Sequence, residues 1–302
     1  MSPEEYDRLV EGICMPNGVW KLTQHGRLRA LDAAVVRILQ ERYAAGTPLL
    51  VYDLAASTGA TSVEFFRTLK ERFDVAFIAS DLYRDLVAVR SRRWPVAIIF
   101  DGCGKEVQYV LGPFVFPAAL AESRAYPVNR ALKATLRRHF APVARAVLHK
   151  VIPGRLEPFK GIDVDGYEVV KLPILTRDTL DAIAARDGFT FDEWNILKPL
   201  PRRAHIVRAM NILTEDHFPD AERARAVTNC VEAVLPGGLF IVGWSPTPEP
   251  TTVEASIYSP QDGRLVRLAS LNGGSEIDAI VAAVYPVTEG ASSTPRGVVR
   301  SA

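Results

Sequence analysis

The stretch Leu49-Leu-Val-Tyr-Asp-Leu-Ala-Ala-Ser-Thr-Gly-Ala-Thr-Ser62 constrains the fold more tightly than any other part of the chain. Its apolar run (Leu49, Leu50, Val51, Leu54) stops at the small residues Ala55 to Thr61, and Val63, Phe65, Phe66 and Leu69 then recur at helical spacing. Strand, small-residue turn and helix open a doubly wound α/β sheet, whose ligands lie beyond the carboxyl ends of the strands. A turn of Ala, Ser and Gly lets a ligand come close to the backbone. The helix start behind it presents unpaired N–H groups to a carboxylate or phosphate. Gly59 is the only glycine in the turn, so the G-x-G-x-x-G dinucleotide fingerprint is absent.

Two later pieces narrow the ligand. Val75-Ala-Phe-Ile-Ala-Ser reads as a second buried strand ending at Asp81. A carboxylate there suits the two hydroxyls of a ribose, although an acid at a strand end also serves as a simple helix cap. Leu235-Pro-Gly-Gly-Leu-Phe-Ile-Val-Gly reads as a turn feeding another buried strand. In this order and spacing the three pieces resemble the class I S-adenosylmethionine (AdoMet) methyltransferases. That resemblance implies a Rossmann-like, doubly wound, seven-stranded sheet with its last strand pair antiparallel, and S-adenosyl-L-methionine as cofactor.

The bulk numbers are compatible with such a fold. A chain of 302 residues suffices for one domain with an elaborate insertion or for two small domains. Hydrophobic content of 48% and charged content of 24% are ordinary for a soluble globular protein, and a net charge of +1 exerts no global pull toward nucleic acid or membrane. Cys14, Cys103 and Cys230 are far apart and form no C-x-x-C pair, so no disulfide framework or metal site is expected and a reducing cytoplasm is the default. The acidic start Met-Ser-Pro-Glu-Glu-Tyr-Asp does not read as a signal peptide, and no run reaches the roughly 20 apolar residues of a spanning helix.

Along the chain, helical spacing over residues 3–13 and 28–44 suggests an amino-terminal helical cap covering residues 1–46. The methyltransferase-like domain is expected over 47–287, with a large, mostly helical insertion at 82–187 between the second and third core strands, forming a lid or substrate subdomain. Within the insertion, Pro95–Phe100 and Glu106–Leu111 flank a hairpin turn and Ile162–Lys171 forms a second hairpin. Residues 117–152 read as mainly helical, interrupted near Pro127 and Pro142. Beyond it come strands at Phe189–Leu197, Ala204 onward and Leu239–Trp244, then a strand pair at Val253–Tyr258 and Leu265–Leu271. Helices span residues 220–234 and 275–284, and a flexible tail over 288–302 is rich in Ser, Gly and Pro.

Several pieces resemble one branch of the class more closely. Ala55-Ala-Ser-Thr-Gly59, the long insertion after Asp81, Trp194-Asn195-Ile196-Leu197 and Arg208 followed by Asn211 resemble the CheR-type glutamate methyltransferases of bacterial chemotaxis. That family has a Thr and, four residues later, an Arg upstream of the first strand, which Thr23 and Arg27 match. The resemblance covers roughly residues 21–245. It implies that Thr23 and Arg27 reach over the cofactor, Arg27 meeting its carboxylate, and that Ala55, Ala56, Ser57 and Gly59 pass beneath it. Asp81 with Leu82 would hold the ribose, Asn195 and Ile196 the adenine, and Arg208 with Ala209 the methionine end. Three features depart from the family. Ala60 stands where it has a carboxylate, His217 stands near where it has a tyrosine, and the separate amino-terminal domain is reduced.

Methyl transfer needs an aligned nucleophile and, for a hydroxyl, removal of a proton. The catalytic candidates are His217, after the fourth strand, His25, between Thr23 and Arg27, and Arg27 itself. Histidine titrates near neutral pH, but His217 can equally be a surface residue at a helix start and Arg27 a solvated charge. Asp53 inside the first strand reads as a support for the turn and His205 as structural.

The acceptor class divides between a small, acidic or amphiphilic molecule methylated on oxygen and a protein glutamate carboxylate. A binding module without turnover is a third reading, and a nicotinamide dehydrogenase a remote fourth. Arg124, Arg130, Lys133, Arg137, Arg138, Arg145, Lys150 and Arg155 form a basic stretch, 124–155. It reads as a solvated helix face, an anion-facing lid, or a contact with a membrane surface or protein. Aromatic residues are not interleaved with these bases, so nucleic acid is not expected.

Overall fold

Residues on both faces of the Leu49–Leu54 strand are buried, as a central parallel strand requires. The computed structural model describes residues 13, 25–118, 127–152, 155–245, 247 and 252–290. Residues 25–82 with 178–290 form one unit and residues 83–177 another. The first unit begins with α1 (Arg29–Arg42), β1 (Pro48–Leu54), α2 (Ala60–Lys70) and β2 (Asp74–Asp81). The second contains β3 (Asp85–Ser91), β4 (Val96–Phe100), β5 (Glu106–Leu111), β6 (Phe114–Pro117), α3 (Pro127–Thr135), a π-helical turn (Leu136–Phe140), α4 (Ala141–Leu148), β7 (Gly161–Val164) and β8 (Tyr167–Pro173). The chain returns through α5 (Arg177–Ala185) to β9 (Phe189–Glu193), β10 (Ala204–Met210), α6 (Asp220–Glu232) and β11 (Val234–Trp244). It ends with β12 (Glu254–Gln261), β13 (Arg264–Leu271), α7 (Asp278–Val284) and β14 (Val287–Glu289).

The fold is mixed α/β with a large sheet, ordered β14-β13-β12-β11-β10-β1-β2-β9. Strands β9, β2, β1, β10 and β11 are parallel, β12 is antiparallel to both its neighbours, and β14 is parallel to β13. The sheet therefore has eight strands rather than the seven expected. Thr288 and Glu289, assigned above to a flexible tail, belong to the edge strand, held where Leu265 N–H donates to Pro286 O and Gly290 N–H to Arg267 O. The chain moves outward from β1 to β2 and β9, then returns to β10 on the other side. Strand order thus reverses between β1 and β10, the place where open α/β sheets bind ligands.

Period-2 alternation sends side chains to opposite faces. On one face Tyr52, Leu54, Val207, Ala209, Phe240 and Val242 pack with Ala226, Val227, Cys230 and Val231 of α6. On the other, Phe77 meets Phe65 edge-on at 5.9 Å and stacks on Phe189 at 5.4 Å, bringing α2 onto the sheet. At the amino-terminal ends of these strands, Leu50 N–H donates to His205 Nδ1 at 3.0 Å, so His205 stands in for a backbone acceptor.

The second unit corrects a larger expectation. It was read as mostly helical, yet its frame is a six-stranded antiparallel sheet, β6-β5-β4-β3-β8-β7. Local spacing reveals the two hairpins but not β3, whose pairing with β8 (Val87↔Lys171, Val89↔Val169) joins segments far apart in sequence. Leu136, Ala141, Ala144 and Val147 pack the helical layer on this sheet with Val87, Val89, Phe100 and Val169. Pro142 re-registers that helix instead of ending it. Proline has no N–H to offer, and Ala141 N–H reaches back to Leu136 O, five residues away, as a π turn requires. No helix among the described residues is long and apolar enough to cross a membrane.

One buried cluster ties β1, β10, α1 and α2 together. Asp53 and Arg208 are direct partners in the β1–β10 register, and the wholly buried Arg208 donates Nε and Nη2 to the two Asp53 oxygens at 2.8 and 2.6 Å. Its Nη1 donates to Asp32 Oδ1 of α1 at 2.8 Å, and its guanidinium lies 4.3 Å from the Phe65 ring centroid. Ser62 Oγ donates to Asp53 at 2.6 Å.

Burial is the main cause that raises the Asp32 carboxyl to about 7; Arg208 opposes it but is already held bidentately by Asp53. Replacing Arg208 by Met strands two buried carboxylates and is expected to cost about 3–5 kcal/mol in urea unfolding. Asp32 behaves oppositely to a salt-bridged surface acid. Its native value exceeds the unfolded value of about 3.9, so the native state binds more protons over that interval. Its contribution is complete below about pH 4 and is lost as pH rises toward 7. Stability curves for Asp32→Asn should therefore lack this decline, and an unaltered slope would refute the assignment.

Candidate functional site

The turn after β1 is held in a conformation that most residues avoid. Ala55, Ser57 and Gly59 have φ of 57°, 57° and 82°. The two non-glycine residues cost about 1–2 kcal/mol each in this left-handed region, so neighbouring contacts must impose it. Ala56 N–H donates to Ser80 O at 2.8 Å, Gly59 N–H to Ala56 O at 2.9 Å, and Thr179 Oγ1 to Thr58 O at 3.0 Å. Ser57 N–H donates to Asp81 Oδ2 at 2.8 Å, so the acid ending β2 fixes the turn ending β1. Such strain collects where a backbone must meet a ligand.

A second set of contacts shapes the ends of β10 and β11. Asn211, just past β10, has φ of 58°; its N–H donates to Gly243 O and its Oδ1 accepts from Ser245 N–H at 2.7 Å. Ser245 O in turn accepts from Arg27 Nη2 at 2.5 Å. The preceding residue is anchored by Glu64 of α2, whose two oxygens accept from Gly26 N–H at 2.8 and 2.9 Å. Among the described residues Arg27 has no carboxylate within ion-pair range, its Nε is buried without a hydrogen-bond partner, and burial lowers its pKa. A desolvated cation lacking a counter-charge is a standing demand for an anion.

Buried polar atoms without a partner recur along this edge. They include Thr58 Oγ1 in the turn, Ser80 Oγ at the end of β2 and Trp194 Nε1 immediately after β9, besides Arg27 Nε. Buried polar groups are normally satisfied, so these four atoms mark where a polar ligand fits. From β9 to β11 the edge crosses four strand spacings, about 19 Å at ~4.8 Å each, which suits an elongated molecule.

The expected site residues fall into three groups. Arg27, Ala55, Ala56, Ser57, Gly59 and Asp81 lie on this edge. His217 also follows β10, half-buried, with Nδ1 2.6 Å from Thr214 Oγ1. Asn195 and Ile196 follow Trp194; the Asn195 side chain accepts from Leu197 N–H, and Ile196 is buried.

Others are placed differently. Arg208 spends its donors on Asp53, Asp32 and Thr61 O inside the protein and does not reach a ligand; parallel pairing with Asp53 drew it into the core. Ala209 is wholly buried in the apolar layer shared with α6. Leu82 is 49% exposed and His25 is largely exposed, its Nδ1 3.4 Å from Glu64. Thr23 lies outside the described residues. Ser80, Ser245 and Glu64 were not anticipated. Ser80 beside Asp81 was detectable as a polar residue closing an apolar strand, whereas Ser245 contributes a carbonyl, which no side-chain pattern signals.

No group of three or more His, Cys, Asp or Glu side chains able to hold a metal ion occurs among the described residues. No protein-family model and no curated protein matches the chain. Among solved structures it is similar to the N-methyltransferase NodS from Bradyrhizobium japonicum WM9 with S-adenosyl-L-homocysteine, at 11% identity and a TM-score of 0.31, over 80% of this chain and 71% of that one. It is also similar to the O-methyltransferase NcsB1 of neocarzinostatin biosynthesis with S-adenosyl-L-homocysteine and 1,4-dihydroxy-2-naphthoic acid (12% identity, TM-score 0.30, 72% of this chain). An O-methyltransferase family protein from Burkholderia thailandensis gives 14% identity and a TM-score of 0.28 over 71% of this chain. The chain spans 40% of the length of each of the latter two. Likenesses this distant carry no argument about activity, which rests instead on the geometry of the edge.

A Cβ added at Gly59 would sit 2.6 Å from Thr179 Cγ2, in a backbone conformation only glycine adopts freely. Gly59→Ala is expected to lose about 2 kcal/mol or more in thermal or urea melts. Wild-type stability would mean that the turn is not clamped as described.

Proposed function

We propose that the chain is an S-adenosylmethionine-dependent methyltransferase of the class I type, acting on an oxygen of a small molecule. The observation that carries this reading is Arg27, a half-buried cation at the carboxyl edge of the sheet with a carbonyl as its only partner among the described residues. A nucleoside bearing an amino-acid tail fits the donor set. Arg27 suits its carboxylate, Asp81 suits a ribose diol because a carboxylate offers about four lone-pair positions, and the Thr58, Ser80 and Trp194 atoms suit further polar groups.

Bound AdoMet supplies an electrophilic methyl on a sulfonium that leaves as a neutral thioether. The chain's own work is alignment and proton removal. Ser245 O holds Arg27 and Glu64 holds the Gly26 backbone beside it, while Asp81 and Ser80 O hold the turn. His217 serves as base when its Nδ1–H donates to Thr214 Oγ1, which leaves Nε2 to accept the proton of a hydroxyl. The finer assignment to the CheR-type branch rests on motifs alone. Ala60, where that family has a carboxylate, is buried at the first residue of α2, so that family contact is missing here.

Calorimetry with S-adenosylhomocysteine tests the cofactor site. Wild type should bind and Arg27→Met should bind ten- to a hundredfold more weakly, as loss of a charged hydrogen bond worth about 1.5–3 kcal/mol requires. A wild-type protein that ignores both S-adenosylhomocysteine and AdoMet would end the proposal. With methyl-labelled AdoMet and cell extract, label should enter a small extractable product rather than a protein band. His217→Ala should lower turnover by about 10²–10⁴ while leaving cofactor affinity intact; an unchanged rate removes His217 as the base.

A further inference from the structure

The helical layer of residues 127–152 belongs to the unit of residues 83–177. It carries Arg130, Lys133, Arg137, Arg138, Arg145 and Lys150 and not one Asp or Glu. Across residues 83–177 sixteen Lys and Arg face eight Asp and Glu, in a chain whose net charge is only +1, so positive charge is concentrated in this unit. Arg145 and Lys150 are paired with Glu106 and Asp165, and Lys133 donates to Ala118 O. Arg130, Arg137 and Arg138 are exposed and have no carboxylate within ion-pair range among the described residues.

The same layer exposes aliphatic side chains. No residue of α3 is fully buried; of its length, Leu132 packs against the core of the unit, and Val128 is 67% exposed. Val143 of α4 and Ile152 just beyond it are 44% and 58% exposed, whereas Ala144, Val147 and Leu148 of the same helix are buried. Helices facing outward with unpaired arginines and bare aliphatics among them match a surface that is anionic on the outside and apolar just beneath. A nucleic acid would use the arginines and ignore the valines, and Phe140, the phenylalanine between Arg138 and Arg145, packs against the core of the unit instead of standing free to stack on a base.

We infer that the face formed by α3, the π turn and α4 docks on an anionic phospholipid surface, with Arg130, Arg137 and Arg138 meeting headgroups and Val128, Val143 and Ile152 entering the boundary beneath. The full chain should co-sediment with phosphatidylcholine vesicles containing phosphatidylglycerol and not with phosphatidylcholine alone, and binding should fall steeply with added salt. The triple variant Arg130→Glu, Arg137→Glu, Arg138→Glu should lose at least about a hundredfold in partitioning, at about fivefold for each of the three positive charges removed, with repulsion from the three added carboxylates weakening it further. Val143→Ser should lose several-fold, with circular dichroism and melting temperature unchanged because these positions are exposed.

Failure of the wild type to prefer anionic vesicles overturns the inference, as does wild-type partitioning by the triple variant. Tighter binding to duplex RNA or DNA than to the vesicles, insensitive to Val143→Ser, would overturn it in favour of a polyanion site. None of these outcomes depends on AdoMet binding, so this surface stands or falls separately from the proposed activity.

Discussion

The pairing of Asp53 with Arg208 is the interaction around which the larger unit is built. Two charges directly opposite each other in adjacent parallel strands neutralise one another only because the β1–β10 register is as it is. A slip by one residue would turn one of the two side chains to the other face, where α6 presents apolar groups, and leave its partner unpaired. The same guanidinium draws in Asp32 from α1 and Thr61 O from α2, while Ser62 caps Asp53. Breaking such a cluster is expensive because every remaining charge stays buried, so it specifies one arrangement of two strands and two helices.

That arrangement sets what lies at the strand ends. Asp53 is one residue from the end of β1, so the turn from Ala55 starts from an anchored point and can be held in the left-handed region. Asp81 and Ser80 secure the turn from β2, Asn211 secures Ser245, and Glu64 secures the Gly26 backbone beside Arg27. Three of the left-handed non-glycine residues (Ala55, Ser57, Asn211) and four unpartnered buried polar atoms lie along this edge, next to the strand-order reversal, while others of each kind lie elsewhere in the chain. Rigid support behind and unmet hydrogen-bonding capacity in front is the physical form of a preorganised binding site.

The antiparallel unit obeys a different logic. Its core is made by the helical layer lying on β3, β4, β5 and β8, and its outer face is basic and partly aliphatic. Pro142 shows how tertiary packing overrides a local signal. Alone it predicts a helix end, but burial of Ala141, Ala144 and Val147 on the sheet favours a π turn and a continued helix.

Much of this was written in the sequence. Apolar runs ending in small residues determined the parallel strands, and the placement of Asp81 and Ala55–Gly59 at strand ends follows from where those runs stop, whereas Arg27, just before the first described helix, was indicated only by the family resemblance. Hairpins with glycine turns were legible for the same reason, since turn chemistry and alternation are local. Tertiary structure alone decided the rest: the eighth strand, the β3–β8 pairing across the insertion, and the fate of Arg208. An arginine beside a ligand and an arginine inside a core look alike in one dimension. Only strand register reveals which of them has a carboxylate waiting opposite.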